Sequence, residues 1–181
     1  VCRAVGSPSQ KVICSNTVGE AISALKDPRL APRRIEVYKS ALEIAISTDD
    51  ERRAAILYNN LGNAYSDLTI GDLKENAQNA INCFKQALEV FTFDFAPYAW
   101  ASIQNNLATV YKVRPGTDDE NIKPAIACWE NVLNIFQKNT YPFEWANVQR
   151  NLGIAYKDLN TGDPIENLNR ARDYLLSSLE I

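Results

Sequence analysis

From residue 51 onward, apolar and polar positions alternate with the period of an amphipathic helix. Leu57, Leu61, Ala64 and Tyr65 fall at i, i+4, i+7 and i+8, and Ala80, Phe84, Ala87, Leu88 and Phe91 continue in the same rhythm one segment later. The stripes then recur. The leucine of "NNLGNAY" is Leu61, with counterparts at Leu107 and Leu152, and the tyrosine four residues on is Tyr65, Tyr111 and Tyr156. Segments starting at Gly71, Gly116 and Gly162 align without a gap, one residue being missing between Tyr111 and Gly116. "YKSALEI" at 38–44 matches "FKQALEV" at 84–90, so half a repeat precedes the first full one.

Turn and cap signals divide each repeat into two helices. Pro97 and Pro142 stand where a first helix begins, three residues before Trp100 and Trp145. Each second helix opens with a glycine and then a capping-box pair: Asp72 with Glu75, Thr117 with Glu120, and Asp163 with Glu166. Small residues (Gly62, Ala64, Ala80) set against large ones (Tyr65, Phe84) let paired helices approach closely. One such pair cannot bury its apolar face alone, so neighbours must stack into an all-α solenoid. The expected helical repeat domain spans 17–181, with a half repeat at 32–50 and repeats at 51–95, 96–141 and 142–181. Residues 1–16 read differently, as an extended segment or small hairpin of two β-prone runs around Gly6-Ser7-Pro8.

Composition narrows the chemistry. Apolar residues at 46 % and charged residues at 23 % mark a globular chain, and no run approaches the ~18 apolar residues of a membrane span. A net charge of -3 argues against a nucleic-acid binder, which would carry a basic patch. No histidine is present, which removes Ser-His-Asp and Cys-His catalysis and most zinc sites. No metal or cofactor is expected, and "DDE" at 118–120 reads as an acidic helix start. With no methionine even at position 1, the chain is expected to start after processing or to belong to a longer product. A cytoplasmic location is the working expectation. Cys83 and Cys128 occupy equivalent slots and read as small buried apolar residues. Cys2 and Cys14 read either as a disulfide pair or as two reduced thiols.

The spacing Leu61-Gly62-x-x-Tyr65 followed by Ala80, Phe84 and Ala87 resembles the tetratricopeptide repeat. The family's usual unit is ~34 residues and this one is longer by about eleven. The extended form, with "NNLGNAY", "GD..EN" and "P..WA", is similar to bacterial and especially cyanobacterial arrays, and the "NNLA" phrase to kinesin light chain repeats. The resemblance covers residues 32 to 181. It implies a right-handed superhelix of antiparallel helix pairs that binds a protein or peptide and carries no catalytic activity. Bacterial relatives often add a caspase-like domain, but that would need a histidine this chain lacks.

On the family's pattern the first helices line a concave wall. That wall carries Asn59, Asn60, Asn63, Ser66 and Asp67, then Asn105, Asn106, Thr109 and Lys112, then Arg150, Asn151, Ile154 and Lys157. Asn60, Asn106 and Asn151 share one slot. An asparagine amide offers a donor and an acceptor together, matching one peptide unit, so such a column can hold an extended peptide. The competing reading is that these amides stitch adjacent helices or keep the wall wet. A chaperone-type carboxylate clamp is disfavoured: its asparagine slots match at Asn63 and Asn106, but Asn59, Asn147 and Asn151 stand where cations are needed. Trp100 and Trp145 are expected to pack between repeats, and Pro124 to bend its helix. Alternatives to groove binding are an assembly subunit using its convex face or ends, or a peptide-sensing regulatory domain. "YLLSSLEI" at the end has no polar helix after it, so further chain or a partner covering Leu175, Leu176 and Leu179 is expected.

Overall fold

A computed structural model describes residues 6–24, 27–115 and 118–181. Among the described residues the protein is all-α, with eight α-helices, one short 3-10 turn and no strand. It divides into two compact units, Val1–Phe91 and Thr92–Ile181.

The first unit holds α1 (Pro8–Ala24), the 3-10 turn Pro28–Leu30, α2 (Ala31–Ser47), α3 (Glu51–Ser66) and α4 (Leu73–Val90). Each helix packs on the next in the chain. Asp50 caps α3 by accepting from Arg53 N at 3.1 Å. Asp72 caps α4, its Oδ1 accepting from Lys74 N at 2.8 Å and Glu75 N at 3.2 Å. Val12, Ile35, Tyr38, Leu57 and Leu61 are buried together, with Tyr65 and Cys83 packed against them.

Helix α1 corrects the expected N-terminal hairpin. Residues 8–16 are helical, and the Gly-Ser-Pro read as a turn is a helix start. The Gln10 side-chain oxygen accepts from Ser7 N at 2.9 Å while Gln10 N donates back to Ser7 Oγ at 3.4 Å, a capping box with Pro8 in the first position. The helix docks through Gly19, where a Cβ would overlap the Tyr38 ring. Gly62 meets Phe84 in the same way. The half repeat is therefore preceded by its own first helix, and "TVGEAIS" at 17–23 is a worn copy of "NLGNAYS" at 60–66.

The second unit holds α5 (Pro97–Val113), α6 (Asp118–Val132), α7 (Pro142–Asp158) and α8 (Pro164–Ser177), again packed in chain order. Pro97 and Pro142 open their helices as expected. Asp163 caps α8 through Ile165 N at 2.9 Å; the expected cap at Thr117 lies outside the described residues. Trp129, Val132, Phe136, Val148, Leu152 and Tyr156 form the core, with Trp100 and Cys128 packed against it. Trp100 meets Phe93, at the end of the preceding repeat, edge to face at 5.2 Å, and also packs against this core. Pro124 lies inside α6.

The asparagine of each "EN" pair has a use that the sequence reading missed. Asn76 Nδ2 donates to Leu68 O and Ile70 O, Asn121 to Arg114 O and Asn167 to Leu159 O and Thr161 O. Each amide satisfies carbonyls left open where the first helix ends. Gly71 and Gly162 turn the chain beside these staples at φ 78° and 88°, where a side chain would strain the backbone.

Candidate interaction surface

In the second unit the first helices α5 and α7 lie side by side in the same direction. Near their starts Tyr98 OH donates to Glu144 Oε1 at 3.1 Å, and near their ends Lys112 Nζ meets Asp158 Oδ2 at 3.1 Å. Lys157 Nζ reaches the other oxygen of Asp158 at 3.3 Å. Partial burial raises the Asp158 carboxyl, but the two ammonium groups outweigh it and hold it below its ordinary 3.8. Of the expected wall residues, Arg150 and Lys157 are exposed, while Asn106, Asn151 and Ile154 are half-buried. Lys112 is committed to Asp158.

The Asn105 side-chain oxygen is already engaged: Oδ1 accepts from the Trp129 indole on α6 at 3.0 Å, inside the helix pair. One residue along the helix is about a 100° rotation, so Asn105 and Asn106 cannot share a task.

In the first unit α1 and α3 are neighbours in the same sense. Asn60 Nδ2 donates to Asn16 Oδ1 at 2.8 Å, so this amide stitches helices. Asn59, one repeat before Asn105, has a buried Oδ1 without a partner, because Phe84 stands where Trp129 would offer an N–H. Asn63 is half-buried, and Ser66 and Asp67 are exposed. Asp67 holds the buried Arg34 at 2.8 Å, and Arg34 also donates to Ser23 Oγ at 2.8 Å. These groups border a cavity of about 410 Å³.

A second concavity, of about 500 Å³, opens among α6, α7 and α8. Tyr156 OH donates to Glu130 Oε1 at 2.7 Å and accepts from Arg170 Nη1 at 3.1 Å, and its ring stacks on Tyr174 at 5.6 Å. Burial, followed by the bond to Glu130, raises the Tyr156 hydroxyl, with Arg170 opposing.

Cys14 is disulfide-bonded; Cys2, its expected partner, lies outside the described residues. Cys83 and Cys128 are half-buried rather than fully buried. Burial pushes the Cys83 thiol up to about 11, with nearby Lys39 pulling the other way. At pH 8 Cys83 should therefore hold roughly a hundredth of the thiolate of an ordinary cysteine. A disulfide reagent should label it slowly in the native protein and fast in denaturant, as a stopped-flow absorbance trace will read; rapid native labelling would mean the face of α4 is rotated.

No protein-family model matches the chain, and no curated protein matches it. Among the described residues no helix is long and apolar enough to cross a membrane, and no group of acidic or cysteine side chains is placed to hold a metal ion.

Proposed function

We propose that this chain is a protein-interaction module of tetratricopeptide type, a right-handed superhelix of antiparallel helix pairs with no catalysis of its own. The observation that carries this reading is the parallel, side-by-side pairing of α5 and α7, which presents Arg150, Asn151 and Lys157 on one helix beside Asn106 on the other. A wall of amides and cations suits the backbone carbonyls and acidic side chains of an extended peptide.

The asparagine ladder narrows under this reading. Asn60 Nδ2 and Asn105 Oδ1 are used inside the protein, which leaves Arg150, Asn151 and Lys157 of α7 as the residues that engage a peptide. An array of extended peptides probed with the purified chain tests it. Asn151→Ala should weaken captured peptides about fivefold, the value of one hydrogen bond near 1 kcal/mol, with melting unchanged. Asn60→Ala should instead cost stability, by roughly 0.5–1.5 kcal/mol, because Asn16 loses its partner. Peptides held equally well after Arg150→Ala and Asn151→Ala would rule out the wall.

A further inference from the structure

At the corner where α1, α2 and α3 meet, the first unit departs from its own repeat. Arg34 on α2 stands in the slot that Ala80, Ala125 and Ala171 fill in the other second helices, all three of them buried. Ile22 on α1 stands where the other first helices carry Tyr65, Tyr111 and Tyr156. Ser23 and Ser66 take the places of Lys112 and Lys157, the two lysines that close over Asp158 in the second unit. Asp67 holds the position of Asp158, but serines are too short to cover it, and the cavity of about 410 Å³ stays open. The Arg34 side chain in its wall is 6 % exposed. Nη1 donates to Ser23 Oγ and Nη2 to Asp67 Oδ2, while Nε is enclosed without a partner. Burying a cation with a donor left unmade is costly. Three other repeats pack an alanine there, so packing does not require the arginine.

We infer that this cavity binds a free α-amino acid. Charge decides the class. Asp27, the other acid on the wall, is balanced by Arg29, which does not line the cavity. One buried cation, Arg34, and one carboxylate at the rim, Asp67 with its side chain 55 % exposed, remain to meet a ligand. A simple anion gains Arg34 but faces Asp67 as a like charge, and a simple cation meets the reverse. A zwitterion satisfies both. Its carboxylate sits inward on the Arg34 guanidinium and the Ser23 hydroxyl, and its ammonium sits outward on Asp67. Ile22, half-buried in the wall, gives the ligand side chain an apolar contact. The volume falls at the lower end of the roughly 300–1,000 Å³ of small-molecule pockets, as a ligand of this size requires. The site lies within the first unit and uses neither Arg150 nor Asn151, so it stands or falls apart from the peptide wall.

Isothermal titration calorimetry of the full chain against each of the twenty standard amino acids tests it, with acetate, methylammonium and inorganic phosphate as single-charge arms. At least one amino acid should saturate at one per chain. Its amide, which lacks the carboxylate, and its N-acetyl derivative, which lacks the ammonium, should each bind about tenfold more weakly or worse. Arg34→Ala installs the residue of the other repeats, so circular dichroism should stay unchanged while binding is lost. Ser66→Lys, at an exposed position, installs the lysine of the second unit and should weaken binding about tenfold by covering Asp67. Asn151→Ala should leave binding intact. Silence across all twenty amino acids would overturn the proposal, and so would binding that survives Arg34→Ala. Acetate or phosphate held as tightly as any amino acid would overturn it as well, because the cavity would then be a plain anion site.

Discussion

Trp129→Ala should lower the unfolding free energy by about 3–5 kcal/mol, among the largest losses any single substitution in the second unit produces. The side chain is 1 % exposed in the centre of the core. It also carries the one N–H that satisfies Asn105 Oδ1. Trp129→Phe separates the two parts: it keeps most of the apolar volume and strands the asparagine, at about 1–3 kcal/mol. The counterpart repeat supplies the control. Asn59 is already stranded, so Asn59→Ala should leave stability level or raise it slightly, alanine being the better helix former. Asn105→Ala should lower it, because the buried indole N–H loses its acceptor. Urea denaturation of the four variants will check the order. Equal responses at Asn59 and Asn105 would sink this account of the repeated phrase.

Gly19→Ala should cost about 1–3 kcal/mol although alanine favours helix, because the added methyl overlaps the Tyr38 ring. Tyr38 is 3 % exposed and has nowhere to go without moving α2 off α1. Val18→Ala, at a position 43 % exposed beside it, should change little. A thermal melt reads the difference. If both variants melt with the parent, α1 is not docked as the structure has it, and the first unit begins at α2.

The helices from α2 to α8 were legible because the same apolar rhythm, proline starts and aspartate caps recur at fixed spacing. Helix α1 was not, for a physical reason. Its first cysteine-flanked stretch is rich in β-prone residues, and Ser7-Pro8 serves a turn as well as a helix start. What identifies α1 is Gly19, whose requirement is contact with Tyr38 rather than any local preference. The wall residues were legible as a group but not one by one. Neighbouring asparagines differ in fate by the rotation of a single residue, and Asn105 was claimed by a tryptophan 24 residues away. Asn76, Asn121 and Asn167 escaped notice because their partners are backbone carbonyls, which leave no mark in a sequence.

Among the described residues, the most extensive helix-to-helix contacts of each unit join elements consecutive in the chain. Few long loops must close before stabilising contacts form, so the search for the native state is short. Low contact order of this kind belongs with refolding in microseconds to milliseconds. It also places the rate limit outside topology: with the disulfide kept intact, any phase of seconds or longer should trace to the chain's eight prolyl bonds, and a prolyl isomerase should speed it.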